Sequence, residues 1–246
     1  MEHETGLTPP PGFRPLYRQV HDLLRSRIAD GIWRPSEALP SEQALAAELG
    51  VSQGTVRKAL DALAADRLVE RRQGKGTYVA QHTQESALFR FFRLARPRDG
   101  DRVTPASSLL SVARRPALKA DRERLQISDR QDVMEARRVR MIDSCPLILE
   151  TIIAPLALFP DLDKRKTLPN TLYEFYQTAY GISVFAAKEE LRAEAATAED
   201  AAHLDIEAGA PLLQIDRIAL ALDGTPAEWR ISRCVTRDLV YAVTLR

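Results

Sequence analysis

Only two cysteines, Cys145 and Cys234, occur in 246 residues. They stand far apart in apolar or β-like surroundings, which leaves no disulfide framework and no zinc spacing and fits a reducing compartment. The four histidines, His3, His21, His82 and His203, are equally scattered and share no metal-ligand spacing. They are expected on the surface, and neither a metal nor any other cofactor is expected. No stretch approaches the ~18 to 20 apolar residues of a membrane span, and the opening MEHETGLTPPPGFRP carries no apolar core of an export signal. The expected setting is the cytoplasm. A charge excess is missing too: the formal net charge is +1, so affinity for nucleic acid could come only from local clustering. No internal repeat is evident, and the single low-complexity tract is the proline-rich TPPPG near the start, expected to be disordered.

What is present begins with helical periodicity. Leu16, Val20, Leu23, Leu24 and Ile28 recur at helical spacing until Gly31 and Pro35 stop the pattern. Ser41, after Pro40, is placed to cap a short second helix whose apolar face is Ala44, Leu45 and Leu49, and Gly50 closes it. Ser52 caps a third helix in which Val56, Ala59, Leu60 and Leu63 face inward. Beyond Asp66 the period changes: LVERR and TYVA are β-compatible, and QGKG between them is a turn. The same glycines and lysine do not make a nucleotide-cradling G-x-x-x-x-G-K-[ST] loop. Val69 occupies the first glycine position, Gly76 follows Lys75, and the next element is a strand.

Two short helices across a tight glycine-containing link have the layout of a helix-turn-helix, whose second helix enters the major groove by its N-terminal end. There, the Gln53 amide suits adenine, Thr55 offers a methyl or a hydroxyl, Arg57 reaches guanine or backbone, and Gly54 removes bulk. In the hairpin, Arg67, Arg71, Arg72 and Lys75 face only Glu70, and Gly74 and Gly76 permit close approach to a duplex. A solvated polar helix face and an exposed basic turn account for the same residues taken singly.

From Gln81 to about Thr104 the chain reads as a linker running into the first strand of a second domain. Beyond it VMEARRVRMI, PLILETIIA, SVFAAKEELRA, PLLQIDRIAL and AEWRISRCV are strand candidates, while LYEFYQTAY and AEDAAHL are helical, so an antiparallel α+β domain is expected. Arg138 and Arg140 share a strand face with Met134, Ala136 and Ile142, and Glu150 shares one with Ile148 and Ile152. Ala227, Trp229, Ile231 and Val235 alternate with Glu228, Arg230, Ser232 and Cys234, predicting one core face and one polar face. Charges in apolar company need partners, either one another or a small polar or anionic ligand.

The run LPSEQALAAELGVSQGTVRKALDALAADRLVERRQGKGTYVA resembles the winged helix-turn-helix of the GntR family of bacterial transcription regulators, over Leu16 to Ala80. The chain from about Ser86 to Arg246 resembles the UTRA effector-binding domain of that family's HutC branch, through RRVRMIDSCPLILETIIAP, TLYEFYQTAYGI and PLLQIDRIALALDGTPAEWRIS. The resemblance implies an α+β chain of two domains: a tail 1–13, a winged helix-turn-helix 14–80, a linker 81–85, and an antiparallel UTRA domain of the chorismate lyase type, 86–246. It implies a ligand-responsive repressor, not an enzyme, that is homodimeric and acts on a double-stranded, pseudo-palindromic operator at the nucleoid. DNA-binding residues would be Gln43, Ser52, Gln53, Gly54, Thr55, Arg57 and Lys58, with Arg72, Gln73, Gly74 and Lys75 at the wing. Effector-binding residues would be Arg138, Arg140, Glu150, Thr171, Tyr173 and Glu228. Gln43 and Gln53 stand where much of the family has arginine, and Cys234 where relatives often have tyrosine, so neither operator nor effector carries over from other members. An enzyme on the chorismate lyase fold is the rival, but no nucleophile–base motif, metal spacing or cofactor loop occurs. A non-specific architectural DNA protein is disfavoured by the near-neutral charge.

Overall fold

The computed structural model describes residues 14–81, 92–97 and 105–243, and every count below is of those residues. The expected tail 1–13, and the expected linker beyond Gln81, lie outside them. The chain divides into two compact units, Met1–Gln81 and His82–Arg246.

The first unit contains α1 (Leu16–Ala29), α2 (Glu42–Leu49) and α3 (Gln53–Ala65), followed by the hairpin of β1 (Val69–Arg72) and β2 (Gly76–Val79). α3 packs against both α1 and α2, and Val20, Leu24, Leu45, Val56, Leu60 and Leu63 are buried, each side chain contributing about 1.5–3 kcal/mol by leaving water. Both expected serine caps form: Ser41 accepts from the Ala44 N–H and Ser52 from the Thr55 N–H, each at 3.1 Å. α2 buries less than its pattern suggests, since Leu45 is buried, Leu49 half-buried and Ala44 exposed; a helix of eight residues makes little more than two turns. His21 is not the surface residue expected. Its ring lies 3.0 Å from both Asp22 and Asp66, with the side chain only 14% exposed, because those carboxylates supply the partners water would have given and tie α1 to the end of α3. His203 is half-buried.

The second unit runs β3 (Leu94–Ala95), β4 (Ala106–Pro116), α4 (Lys119–Leu125), β5 (Asp132–Ile142), β6 (Cys145–Pro155), α5 (Leu172–Tyr180), β7 (Val184–Ala195), α6 (Ala198–Leu204), β8 (Pro211–Ala221), β9 (Pro226–Cys234) and β10 (Val240–Tyr241). Six strands form one antiparallel sheet in the order β4-β5-β6-β9-β8-β7, and β3 pairs separately with β10. β4 stands where the linker was expected to run into a first strand, and α4 has no counterpart among the expected elements. α4 packs on β9 and α6 on β6, whereas α5 lays Leu172, Tyr173 and Tyr176 against Met134, Ala136, Ile152 and Ala219.

The order of strands reveals a repeat that the residues conceal: β4-α4-β5-β6 and β7-α6-β8-β9 have the same topology and meet at the β6–β9 pair. Asp121 in α4 and Asp200 in α6 are both buried in the first turn, and each holds an arginine, Arg115 and Arg233 respectively. Both helices end on a left-handed residue, Gln126 and Asp205. KADRERL and AEDAAHL otherwise share little. Alternating burial, an acidic first turn and a left-handed stop suffice for this topology, and unlike residues satisfy them.

The expected polar face of β9 needs correcting. Glu228, Arg230, Ser232 and Cys234 are all buried, because β9 is central in the sheet and helices cover both of its faces. No described helix is long and apolar enough to cross a membrane.

Candidate functional site

In the first unit the candidate contact residues sit on two projections. Gln53, Gly54, Arg57 and Lys58 are exposed on the first turns of α3, Thr55 is half-buried beside them, and Gln43 is exposed at the start of α2. Arg72, Gln73, Gly74 and Lys75 are exposed at the hairpin tip. Gly74 has φ +70° and Gly76 φ +109°, conformations that glycine adopts without a Cβ penalty. Tyr78 braces this tip: its hydroxyl donates to the Lys75 carbonyl at 3.2 Å and the Arg72 guanidinium stacks 4.3 Å over its ring.

Glu42, absent from the expected set, joins the two projections. Its Oε2 accepts from Arg57 Nε at 3.0 Å, Arg57 Nη2 at 2.8 Å and Gln53 Nε2 at 3.3 Å, while Arg71 Nη2 lies 3.3 Å from Oε1. Arg57 holds the carboxyl below its usual range, with Gln53 and Arg71 adding to the effect against partial burial. Arg57 and Gln53 are therefore preset rather than free. The available signal was an acidic residue directly after a cap serine, which reads equally as a helix-dipole partner.

In the second unit the sheet register does the assembling. Arg138 on β5 lies opposite Glu150 on β6, which lies opposite Ser232 on β9. The row two residues along carries Ala136, Ile152, Arg230 and Arg217. Arg138 Nε donates to Glu150 at 2.5 Å, and its Nη1 lies 3.4 Å from the carbonyls of Pro169 and Asn170, just before α5. Arg230 donates to both oxygens of Glu228 at 2.9 Å, and the same carboxylate accepts from Tyr173 at 3.2 Å and Tyr176 at 2.8 Å. Arg140 donates to Asn170 Oδ1 at 3.0 Å and stands 5.5 Å from the Phe92 ring.

A cavity of about 50 Å³ opens among these groups, with Arg140, Glu150, Thr171, Tyr173, Arg217 and Arg230 in its wall. Burial pulls the Arg140 guanidinium down to about 9, opposed by Glu150 and reinforced by the like charges of Arg138 and Arg230. For Glu150, burial works toward the neutral acid, but the three surrounding arginines hold the carboxyl far below its usual range. Burial pushes the Cys234 thiol up, so this cavity-lining cysteine stays protonated. Among the described residues, Arg138 Nη2 and Arg140 Nε are buried without a hydrogen-bond partner. Such donors are costly unless an acceptor arrives.

Of the expected effector residues, Arg140, Glu150, Thr171 and Tyr173 line the cavity. Arg138 and Glu228 do not; each spends its hydrogen bonds bracing residues that do. The expected set lacked Arg217 and Arg230. Arg230 was legible as a charge two positions from Glu228 on the same strand face, and Arg217 as a charge inside an apolar strand.

Comparison with known proteins accords with this division. The family model for the UTRA domain matches residues 101–238, and that for bacterial regulatory proteins of the gntR family matches residues 16–79. The chain is 33% identical over 234 residues to the mannosyl-D-glycerate transport/metabolism system repressor MngR of Escherichia coli, covering 95% of this chain and 96% of that one. It is 30% identical over 214 residues to the transcriptional repressor NagR of Bacillus subtilis, covering 87% and 88%. Among solved structures, the ligand-binding domain of a GntR-family regulator from Bordetella bronchiseptica superposes with a TM-score of 0.58 at 30% identity, covering 64% of this chain and 98% of that domain.

Proposed function

The chain belongs to the GntR family and carries a UTRA domain, which makes it a ligand-responsive transcription regulator rather than an enzyme, and from that premise we propose that it is a homodimeric repressor released from a pseudo-palindromic operator by a small anionic metabolite. α3 reads the major groove through Gln53, Thr55 and Arg57, and the wing tip at Gly74 and Lys75 holds phosphate. The effector seats at Arg140 and Thr171. Thr171 starts α5 without a side-chain cap bond, so its hydroxyl and the first helix N–H groups favour an anion beside the guanidinium. The observation that carries the effector reading is the buried Nε of Arg140, which has no hydrogen-bond partner among the described residues and belongs to a side chain in the wall of the cavity.

A ligand changes DNA affinity only by binding one arrangement of the reading heads better than another. Effector binding holds the dimer where the half-site spacing no longer fits. The test begins with operators selected from a random duplex pool. Gln53→Ala is expected to alter preference at one half-site position, whereas Lys75→Ala weakens all sequences alike and lowers the salt slope by about 1. Identical preference profiles for wild type and Gln53→Ala would remove Gln53 from the reading set. A thermal-shift screen of carboxylates, amino-acid catabolites and sugar phosphates then identifies effectors, and Arg140→Gln should bind operator normally yet ignore them.

A further inference from the structure

Arg138, Arg140, Arg217 and Arg230 meet Glu150, Glu189 and Glu228 at the cavity end of the sheet, so buried cations outnumber buried anions. Their distribution matters more than their sum. A carboxylate offers about four lone-pair positions. On Glu228, Tyr173 and Arg230 Nε occupy Oε1, while Tyr176 and Arg230 Nη2 occupy Oε2. Glu150 accepts two hydrogen bonds, from Arg138 on Oε2 and from Ser232 on Oε1, and its Oε1 is further flanked by the charges of Arg230 at 3.5 Å and Arg140 at 3.9 Å. A ligand hydroxyl seeking a carboxylate acceptor meets, in the wall, a Glu150 already neutralised by flanking arginines, while Glu228 behind the wall has no position left. A ligand acceptor meets donors instead, among them Arg140 Nε.

Resting on the effector reading above, we propose that Arg230 determines the specificity of the cavity: by holding Glu150 and Glu228 together it withdraws the acceptors a polyhydroxylated ligand needs, leaving a slot between Arg140 and Arg217 for a compact dianion, a short dicarboxylate. Geometry supports two anchoring walls. Arg140 lies on β5 and Arg217 on β8, with β6 and β9 between them and four residues of offset along the strands, which sets their backbones about 14 Å apart across the sheet and about 13 Å along it, roughly 20 Å in all. Both side chains line the same cavity. Its volume of about 50 Å³ matches roughly four waters at ~10–15 Å³ each, little for a hexose ring. Arg217 is oriented by Glu189 at 2.5 Å, and Arg230 by Glu228.

The experiment uses the full chain and five probes at equal concentration: malonate, succinate, glutarate, inorganic phosphate and glucose 6-phosphate. Melting temperature and calorimetric Kd are read for each. At least one dicarboxylate should bind more tightly than either phosphate probe, and Arg217→Gln should weaken it roughly ten- to hundredfold, the loss expected for a charged hydrogen bond. Arg230→Ser should reverse the order, losing the dicarboxylate and gaining glucose 6-phosphate. Should Arg230→Ser fail to fold, the wild-type ranking and Arg217→Gln decide the matter. The proposal is overturned if no dicarboxylate binds, if glucose 6-phosphate or inorganic phosphate binds the wild type at least as tightly, or if folded Arg230→Ser keeps the wild-type order. A dicarboxylate that binds as expected but leaves the operator complex intact upholds the slot and removes the effector reading. Release of the operator by glucose 6-phosphate alone does the reverse.

Discussion

Four donors crowd the two oxygens of Glu42: one from Gln53, two from Arg57 and one from Arg71. DNA phosphates would compete for the same arginines, so Glu42 sets a threshold that non-specific binding must overcome. Replacing it by glutamine should free the Arg57 guanidinium, whereas Arg71 keeps Asp61 at 2.9 Å. Glu42→Gln is then expected to bind random duplex more tightly, with a salt slope steeper by about 1 since each freed cation adds roughly 0.9. Discrimination between operator and random DNA should narrow. Anisotropy titrations at several salt concentrations measure both, and an unchanged slope would show that the clasp plays no part. The cost in stability should be only about 1 kcal/mol, since these are surface pairs.

At the scale of elements, the hairpin and the sheet helices give separable predictions. A Cβ on Gly76 would meet nothing within 4 Å, so the cost of Gly76→Ala lies in its φ of +109° alone. That strain is worth about 1–3 kcal/mol. It should loosen the wing and weaken DNA binding while α1 to α3 keep their helical signal, as paired circular dichroism and binding curves would show. In α6, Asp200 accepts from the Thr197 N–H and hydroxyl and from Arg233. Burial alone would raise its pKa, but Arg233 and Thr197 together hold it below the usual value. A depressed carboxylate stabilises the fold above its unfolded pKa near 4, and that contribution is lost as pH falls through the folded value. Asp200→Asn should therefore lower stability at neutral pH by about 3 kcal/mol. It should also flatten the loss of melting temperature between neutral pH and roughly pH 3; equal acid sensitivity in both proteins would refute the assignment.

For the whole molecule, the proposed induction turns on how two reading heads are spaced. Tethering the heads of a dimer at the separation of the operator half-sites should abolish release by effector while leaving effector affinity intact. Release that persists under the tether would require a signal inside the reading unit itself. The two-unit division lets these be separated, because each unit buries its own apolar residues.

Much of this organisation was legible in the residues. Caps at Ser41 and Ser52, the left-handed stop at Gly50, the change from helical to strand period after Asp66, and five of the sheet strands all depend on neighbours a few positions apart, which is the range over which local propensity and periodicity act. What escaped was set at a distance. Tyr176 meets Glu228 across 52 positions and Ser232 meets Glu150 across 82. Only strand order and register bring them together, and a shift of one residue would turn each of these charges to the opposite face. The sequence thus determined which residues carry charge and which elements bear them. The tertiary structure decided that Glu42 clasps Arg57 and Arg71, that Arg230 stands between Glu150 and Glu228, and that one nitrogen on each of Arg138 and Arg140 lacks an acceptor among the described residues, because pairing inside a low-dielectric core is fixed by which side chains the packed sheet leaves within reach.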